Sequence, residues 1–277
     1  MAKLTVGLIQ VNAGNEILPN VAFIEQQARA AHAAGAQLVM TPENSTMVGA
    51  DREDTLAKAL AEAQHPGLAS ARSLARELGV WFLVGSLHIR LEEPDPGAGR
   101  CANRSYLINS VGEVVARYDK IHMFDVQLPN GETYRESAAF RPGTRAVTAA
   151  TPWGVLGMTI CYDLRFPHLY RKLAQAGAVM LTVPSSFTVP TGRAHWHVLL
   201  RARAIETGCF VFAPAQVGTH AGGRKTFGHS LVVSPWGEVL ADAGDLGPGM
   251  ITAEIDLAKV EEARHAVPSL QHDRELG

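Results

Sequence analysis

An alternation constrains this chain more than any other feature. Short apolar runs rich in β-branched residues take turns with Ala/Leu-rich stretches of helical period through most of the 277 residues. A short apolar run between turn signals reads as a strand buried on both faces, and such strands need helices packed over them. Residues 4–11 read as a strand. Asn20 is placed to cap a helix that runs to about Ala34 and ends at Gly35. Residues 37–41 read as a strand that delivers Glu43 at its C-terminal end. Residues 54–78 carry two helical patterns split by Pro66-Gly67. Strands follow at 81–89, 104–109 and 113–118, with a Pro/Gly/Glu loop at 92–99. The segment 123–143 has no period and reads as a long ordered loop, of the kind that often carries function. Beyond it the pattern predicts a strand at 155–160, a helix at 168–176, a strand at 179–183 and a helix at 193–207. Strands at 209–215, 229–234, 238–242 and 250–255 come next, then a helix at about 257–265 and a polar tail.

The expectation is a single α/β domain over 1–277, with its core at about 4–257 and a tail after about 266. The pattern alone leaves open whether there is one sheet or two. A hydrophobic share of 47% and a charged share of 19% suit a large buried core. A net charge of −2 gives no reason to expect a nucleic-acid partner or an anionic membrane surface. No apolar stretch approaches the roughly 18 residues of a membrane span, and the apolar run at the N-terminus reads as a first strand rather than a leader. Cys101, Cys161 and Cys209 are too few, and odd in number, for a disulfide framework. They point to a reducing, cytoplasmic setting in which a thiol is free for chemistry.

Cys161 is the first candidate. It follows an apolar strand and precedes Tyr162-Asp163-Leu164-Arg165-Phe166-Pro167. A nucleophile at a strand end before a sharp turn is exposed at the sheet edge, and the next backbone N–H is free to bind an oxyanion. The competing reading is a buried structural thiol, the common fate of a free cysteine. Glu43, in Thr-Pro-Glu-Asn, ends an apolar strand and suits a general base, or else a loop ion pair. Lys120, in Arg117-Tyr118-Asp119-Lys120-Ile121-His122, could lower a thiol pKa and hold an oxyanion. Alone it reads as a solvated surface charge, and Glu136 has no better standing. His195 and His197 lie two apart on a predicted helix, so they point about 200° apart and cannot share an ion. With no CxxC pair and no HExxH motif, no metal is expected. Gly222-Gly223 lies in a polar turn without the strand–loop–helix setting of a phosphate loop. Arg201, Arg203 and Glu206 read as a solvated or interface face of their helix.

These residues fall into one pattern. The chain resembles the nitrilase superfamily of carbon–nitrogen hydrolases from Leu4 to about Leu257. Several separated motifs carry the resemblance, in order. They are Thr-Pro-Glu-Asn at 41–44, Tyr-Asp-Lys-Ile-His-Met-Phe-Asp at 118–125, and Arg-Glu-Ser at 135–137 with Pro142-Gly143 after it. Thr-Ile-Cys-Tyr-Asp-Leu-Arg-Phe-Pro follows at 159–167 and Pro-Ser-Ser-Phe at 184–187. Thr-Gly-Arg-Ala-His-Trp at 191–196, Arg-Ala-Arg-Ala-Ile-Glu at 201–206 and Gly-His-Ser at 228–230 complete the set.

The resemblance implies a four-layer α-β-β-α sandwich that dimerises into an extended sandwich through helices 168–176 and 193–207. It maps a Glu-Lys-Cys triad onto Glu43, Lys120 and Cys161, and a second glutamate onto Glu136. On that reading Glu43 takes the Cys161 proton as the thiol attacks an amide carbonyl. Lys120 and the Tyr162 backbone N–H hold the oxyanion. Glu43 protonates the leaving ammonia and then activates water to hydrolyse the thioester. Glu136 positions the substrate or Lys120, or assists proton transfer. No cofactor is needed.

True nitrilases carry Trp-Glu after the cysteine, whereas this chain has Tyr162-Asp163, so the resemblance is to the Nit branch of amidases. Members of that branch hydrolyse ω-amides of α-keto acids. The run at 200–207 is closer to those acting on deaminated glutathione than to ω-amidases acting on α-ketoglutaramate. The expected function is therefore hydrolysis of the terminal amide of a small carboxylated substrate. A carbamoylase, an aliphatic amidase, a nitrilase and a silent binding scaffold are the alternatives. Because such substrates are anionic, Arg165 is expected to hold a carboxylate. Its competing roles are an ion pair with Asp163 or a dimer contact. Phe187, Thr191 and His195 are expected at the pocket, and the loop at 130–134 is expected to shape it.

Overall fold

A computed structural model describes residues 3–92, 99–129 and 131–274. Most of the predicted 92–99 loop, together with Asn130, lies outside the described residues. The first half of the chain forms β1 (Lys3–Gln10), α1 (Ile17–Ala33), β2 (Leu38–Met40), α2 (Arg52–Lys58) and α3 (Pro66–Leu78). It continues with β3 (Trp81–Arg90), β4 (Cys101–Ile108), β5 (Val114–Asp119), β6 (Asp125–Gln127) and β7 (Thr133–Arg135). The second half forms β8 (Val147–Thr151), β9 (Gly154–Met158), α4 (Pro167–Gln175), β10 (Ala178–Thr182) and α5 (Val189–Thr207). After these come β11 (Phe210–Ala213), β12 (Val217–Thr219), β13 (Lys225–Phe227), β14 (Leu231–Val233), β15 (Val239–Asp242), β16 (Gly249–Asp256) and α6 (Ala258–Ala266).

Two six-stranded sheets result, in the orders β16-β1-β2-β3-β4-β5 and β15-β14-β11-β10-β9-β8. In each, three central strands run parallel and the outer strands are antiparallel. Side chains alternate across the pleat with period two. Leu4, Val6 and Leu8 of β1 face the second sheet and share one core with Leu156, Met158, Met180 and Phe212. Ile9, Val39, Phe82 and Val84 face outward onto Ile24 and Ala28 of α1 and Leu68 and Leu74 of α3. Leu169 and Leu173 of α4, with Trp196 and Leu200 of α5, cover the other outer face. Each such Leu or Val stabilises the fold by roughly 1.5–3 kcal/mol on burial. Gly7 sets the closeness of α1: a Cβ there would lie 2.9 Å from the Ala31 Cβ. The expected helix–sheet–sheet–helix sandwich is present, and the sheet number left open by the sequence is two.

The structure corrects several sequence-based expectations. Asn20 is not a cap, because α1 begins at Ile17 and Asn20 lies inside its first turn. Its buried amide donates to the carbonyls of Gly14, Glu16 and Thr46. It ties the helix entry to the loop that follows Glu43. The segment 123–143 contains the β6–β7 hairpin and a 3-10 turn, Glu136–Ala138. Strands of three residues are too short to show a period. β8 was not foreseen, since its small residues alternate between half-buried and exposed at a sheet edge. Arg203 is not a surface charge. It is buried, donates from Nε to the Leu164 carbonyl at 2.9 Å, and lies 5.4 Å from the Tyr170 ring centre. Among the described residues, no helix is long and apolar enough to cross a membrane.

Candidate active site

Parallel strands leave their carboxyl ends at one edge of each sheet, where ligands commonly bind. Here both sheets deliver to the same place. Glu43 follows β2, Lys120 follows β5 and Cys161 follows β9. Cys161 opens a 3-10 turn, Cys161–Arg165, at φ 50°, a left-handed conformation costly for a side chain with a Cβ. Surrounding contacts hold it there. The Cys161 N–H donates to the Pro184 carbonyl at 3.0 Å. Asp163, fully buried, accepts from the Ile160 N–H at 2.9 Å and the Tyr118 hydroxyl at 2.6 Å. It also accepts from the His122 N–H at 3.1 Å, with His122 Nδ1 at 2.7 Å. The carboxylate thus staples the Cys161 turn to the segment around Lys120. No ion pair with Arg165 forms.

Lys120 Nζ lies 2.8 Å from Glu43 Oε1 and 2.8 Å from each Glu136 oxygen. Glu136 is set by the turn after β7 and accepts from the Phe124 N–H at 2.6 Å. Asn103 of β4 went unnoticed in the sequence. Its amide donates to Glu43 at 3.0 Å and to Glu136 at 3.3 Å, bridging the two acids. A polar residue inside an apolar strand was the available signal. Gln216 supports Glu43 from behind, donating to the Glu43 carbonyl at 3.0 Å.

These groups are almost dry: Glu43 and Lys120 are each 2% exposed and Cys161 is 6% exposed. Burial pushes the Glu43 carboxyl up, but the Lys120 charge and hydrogen bonds from Lys120 and Cys161 outweigh it and hold Glu43 below its ordinary value. Burial, joined by the Glu43 charge, raises the Cys161 thiol against the pull of Lys120. Burial would neutralise Lys120, yet Glu136 and Glu43 more than compensate and raise it. The resting state is therefore a carboxylate, an ammonium and a neutral thiol within reach of one another. Such a set can move a proton from sulfur to carboxylate only as sulfur attacks a carbon.

The four groups line a cleft of ≈ 1000 Å³ together with Tyr162, Phe187 and Thr191. Arg165 and His195 do not line it. The Arg165 guanidinium rests 5.9 Å from the Tyr162 ring centre and 5.6 Å from that of Phe187, with Nη2 3.2 Å from His195 Nδ1. The cationic residues of the cleft wall are instead Arg52, Arg135, Arg224 and Lys225, beside Lys120. Arg224 is the most fixed of them. It donates to the Ser186 carbonyl at 2.6 Å and stacks over Tyr134 at 5.4 Å. Its Nε is buried without a hydrogen-bond partner. It sits in the polar turn that the sequence reading set aside once a phosphate loop was excluded. Cys101 and Cys209 are buried away from the cleft, and burial raises Cys101 to about 11.

Comparison with known proteins gives the family. The family description "Carbon-nitrogen hydrolase" matches residues 5–265. The deaminated glutathione amidase of Yersinia enterocolitica is 42% identical, over 99% of this chain and 94% of that protein. The human protein of that name is 41% identical, over 97% of this chain and 82% of its own length. Among solved structures, the C. elegans NitFhit protein superposes with a TM-score of 0.88 at 34% identity. That match covers 99% of this chain, which spans only 66% of the NitFhit chain. An amidase from Nesterenkonia sp. AN1, solved after acrylamide had added to its active-site cysteine, superposes at 0.77 with 26% identity, covering 96% and 98% of the two chains. With the nitrilase-type sandwich in place and a family match over residues 5–265, this chain belongs to the carbon–nitrogen hydrolases, in the Nit branch of the nitrilase superfamily.

Proposed function

We propose that the chain hydrolyses the amide of deaminated glutathione through a thioester on Cys161. One observation carries the reading: Glu43, Lys120 and Cys161, nearly dry, meet the part-buried Glu136 on the wall of a single cleft. Glu43 takes the thiol proton as Sγ attacks the carbonyl carbon. The oxyanion forms beside Lys120 and the Tyr162 N–H. An ammonium has three N–H groups. Glu43 occupies one, the two Glu136 oxygens share another, and the third faces the oxyanion. One such donor is typically worth about 3–4 kcal/mol. Glu43 then gives its proton to the departing amine, the C–N bond breaks, and a thioester remains. Water, deprotonated by Glu43, releases the acid and restores the thiol. Glu136 and Asn103 keep Lys120 and Glu43 aligned.

The substrate choice draws on the names of the relatives and on cleft size. Deaminated glutathione is a 2-oxo acid in amide linkage to cysteinylglycine, with a carboxylate at each end. A cleft of ≈ 1000 Å³ takes a molecule of that size. Arg224 is the group we assign to one carboxylate, with Phe187 and Thr191 beside the acyl chain. Arg165 acts from behind Phe187, with His195 against its guanidinium. The enzyme is proposed to be cytoplasmic, which suits its three free cysteines. It is proposed to dimerise through α4 and α5, where Val198 and Ile205 are 67% and 55% exposed. Light scattering at the monomer mass would contradict the dimer.

The test compares kcat/KM for deaminated glutathione, read as cysteinylglycine release, with that for α-ketoglutaramate, read as ammonia release. The former should be the better substrate. Arg224→Ala should raise KM for deaminated glutathione about tenfold or more, with a smaller change in kcat. A preference for α-ketoglutaramate would move the enzyme to the ω-amidases. If Arg224→Ala is silent and Arg165→Ala is not, the carboxylate belongs to Arg165.

A further inference from the structure

Three non-glycine residues adopt a positive φ among the described residues: Asn44, Cys161 and His229. Asn44 adjoins Glu43, and Cys161 is the proposed nucleophile itself. His229, at φ 57°, lies elsewhere, in the turn before β14, and the proposed reaction does not use it. Its conformation is held from two sides. The His229 N–H donates to the Gly244 carbonyl at 2.8 Å, and its carbonyl accepts from Trp196 Nε1 at 2.8 Å. Its ring stacks on Phe227, with centres 4.5 Å apart and planes 27° apart.

The backbone held in this way aims the His229 ring at two other groups. Asp242, at the end of β15, has Oδ1 2.9 Å and Oδ2 3.1 Å from His229 Nδ1. His197, on α5, has Nε2 3.1 Å from the same Asp242 Oδ2. All three donor atoms lie within 4.8 Å of one another. The Gly244 N–H, donating to Asp242 Oδ1 at 2.8 Å, fixes the carboxylate independently of either ring.

We propose that His197, His229 and Asp242 form a binding site for a divalent transition-metal ion, with zinc the best fit. Two imidazoles and one carboxylate suit zinc and its neighbours rather than calcium or magnesium, which favour all-oxygen sites. Zinc–ligand bonds of about 2.0–2.1 Å in a tetrahedron place neighbouring ligand atoms about 3.3 Å apart. The Asp242 separations are within a few tenths of an ångström of that. The side chains are 36% (His197), 21% (His229) and 32% (Asp242) exposed, so the fourth position opens to water. The expectation of no metal rested on the spacing of His195 and His197 and on the lack of a CxxC pair or HExxH motif. His197 finds its partners 32 and 45 residues later, on elements the sequence pattern could not pair with α5. The same α5 supplies Thr191 to the catalytic cleft, so a bound ion would brace that helix against the β14–β15 hairpin.

The competing arrangement is a hydrogen-bonded His–Asp–His triad, in which each ring presents an N–H to Asp242. A metal needs the lone pairs instead, so binding decides between them. Zinc chloride is titrated calorimetrically into the metal-free full chain carrying Cys161→Ala, which removes the active-site thiol as a rival ligand. One zinc per chain should bind, and zinc should raise Tm. Adding His197→Ala or Asp242→Asn should weaken binding by about tenfold or more and abolish the rise in Tm. His197 is half-exposed on a helix, so its alanine variant should keep the native circular dichroism. No binding by the Cys161→Ala chain, or binding unchanged by both added substitutions, overturns the site.

Discussion

Glu43 is charged where burial alone would leave it neutral, and Lys120 is the reason. The pH dependence of the reaction follows. Glu43 is held below the ordinary carboxylate range, so its base function is lost only as pH falls through that depressed value. Cys161 is raised, and in the proposed reaction it attacks as a thiol that gives up its proton during the step. Lys120 is raised and stays charged through the neutral range. The kcat/KM profile should be flat from about pH 6 to 9, with an acid limb below the ordinary carboxylate value of about 4.3. A rise that tracks a free thiol near about 8.5 would mean that a preformed thiolate is required instead. At this scale the sequence was legible where motifs carried the residue, as at Glu43, Lys120, Glu136 and Cys161. It was silent on Asn103, whose role depends on two acids that sit 60 and 33 residues away. It favoured Arg165, four residues from the nucleophile, over Arg224, which only folding brings to the cleft wall.

The 3-10 turn at Cys161–Arg165 is held from two directions. Asp163 ties it to Tyr118 and His122, and Arg203 of α5 ties the Leu164 carbonyl from the far side. Arg203→Ala leaves a buried carbonyl without its donor and a cavity against Tyr170. The expected cost is about 2–4 kcal/mol, or a fall in Tm of roughly 5–15 °C at fixed protein concentration. Because the same turn carries the nucleophile, kcat should fall as well. A Tm within about 2 °C of wild type would show that α5 does not brace the turn. The sequence placed a helix here correctly but began it at 193. Pro190 fits the first turn of a helix and Gly192 fits under Phe227, where a Cβ would meet the ring at 2.3 Å. Helical period says which residues can share a face, yet not which face the sheet will cover, so Arg203 read as a surface charge.

Across the whole molecule, burial lowers three histidines, His65, His88 and His220, and two of them, His65 and His88, by enough to link stability strongly to pH. His65 caps α3, its Nδ1 accepting from the Gly67 N–H at 3.2 Å, and His88 lies under the site with Nδ1 unpartnered. Burial lowers each to about 4. The folded chain thus refuses a proton that the unfolded chain takes near 6.5. Stability is complete above that pH and is lost as pH falls from about 6.5 towards 4. At about 1.4 kcal/mol per unit, moving to pH 5 costs roughly 2 kcal/mol for each histidine. His65→Asn keeps a capping acceptor without titrating. In urea unfolding it should remove roughly 2 kcal/mol of the loss seen between pH 7.5 and 5. An unchanged loss would acquit His65. The layered architecture was legible because apolar strands alternating with helices admit few arrangements. The division into two sheets was not, since strand pairing is settled by contacts far apart in sequence.

The proposed reaction depends above all on Cys161 as the nucleophile of amide hydrolysis. The most direct measurement is kcat/KM for release of cysteinylglycine from deaminated glutathione by Cys161→Ala, with Cys101→Ala as the control. The account predicts a loss on the order of 10⁴-fold or more for Cys161→Ala and near wild-type turnover for Cys101→Ala. Activity in Cys161→Ala within about tenfold of wild type would contradict it.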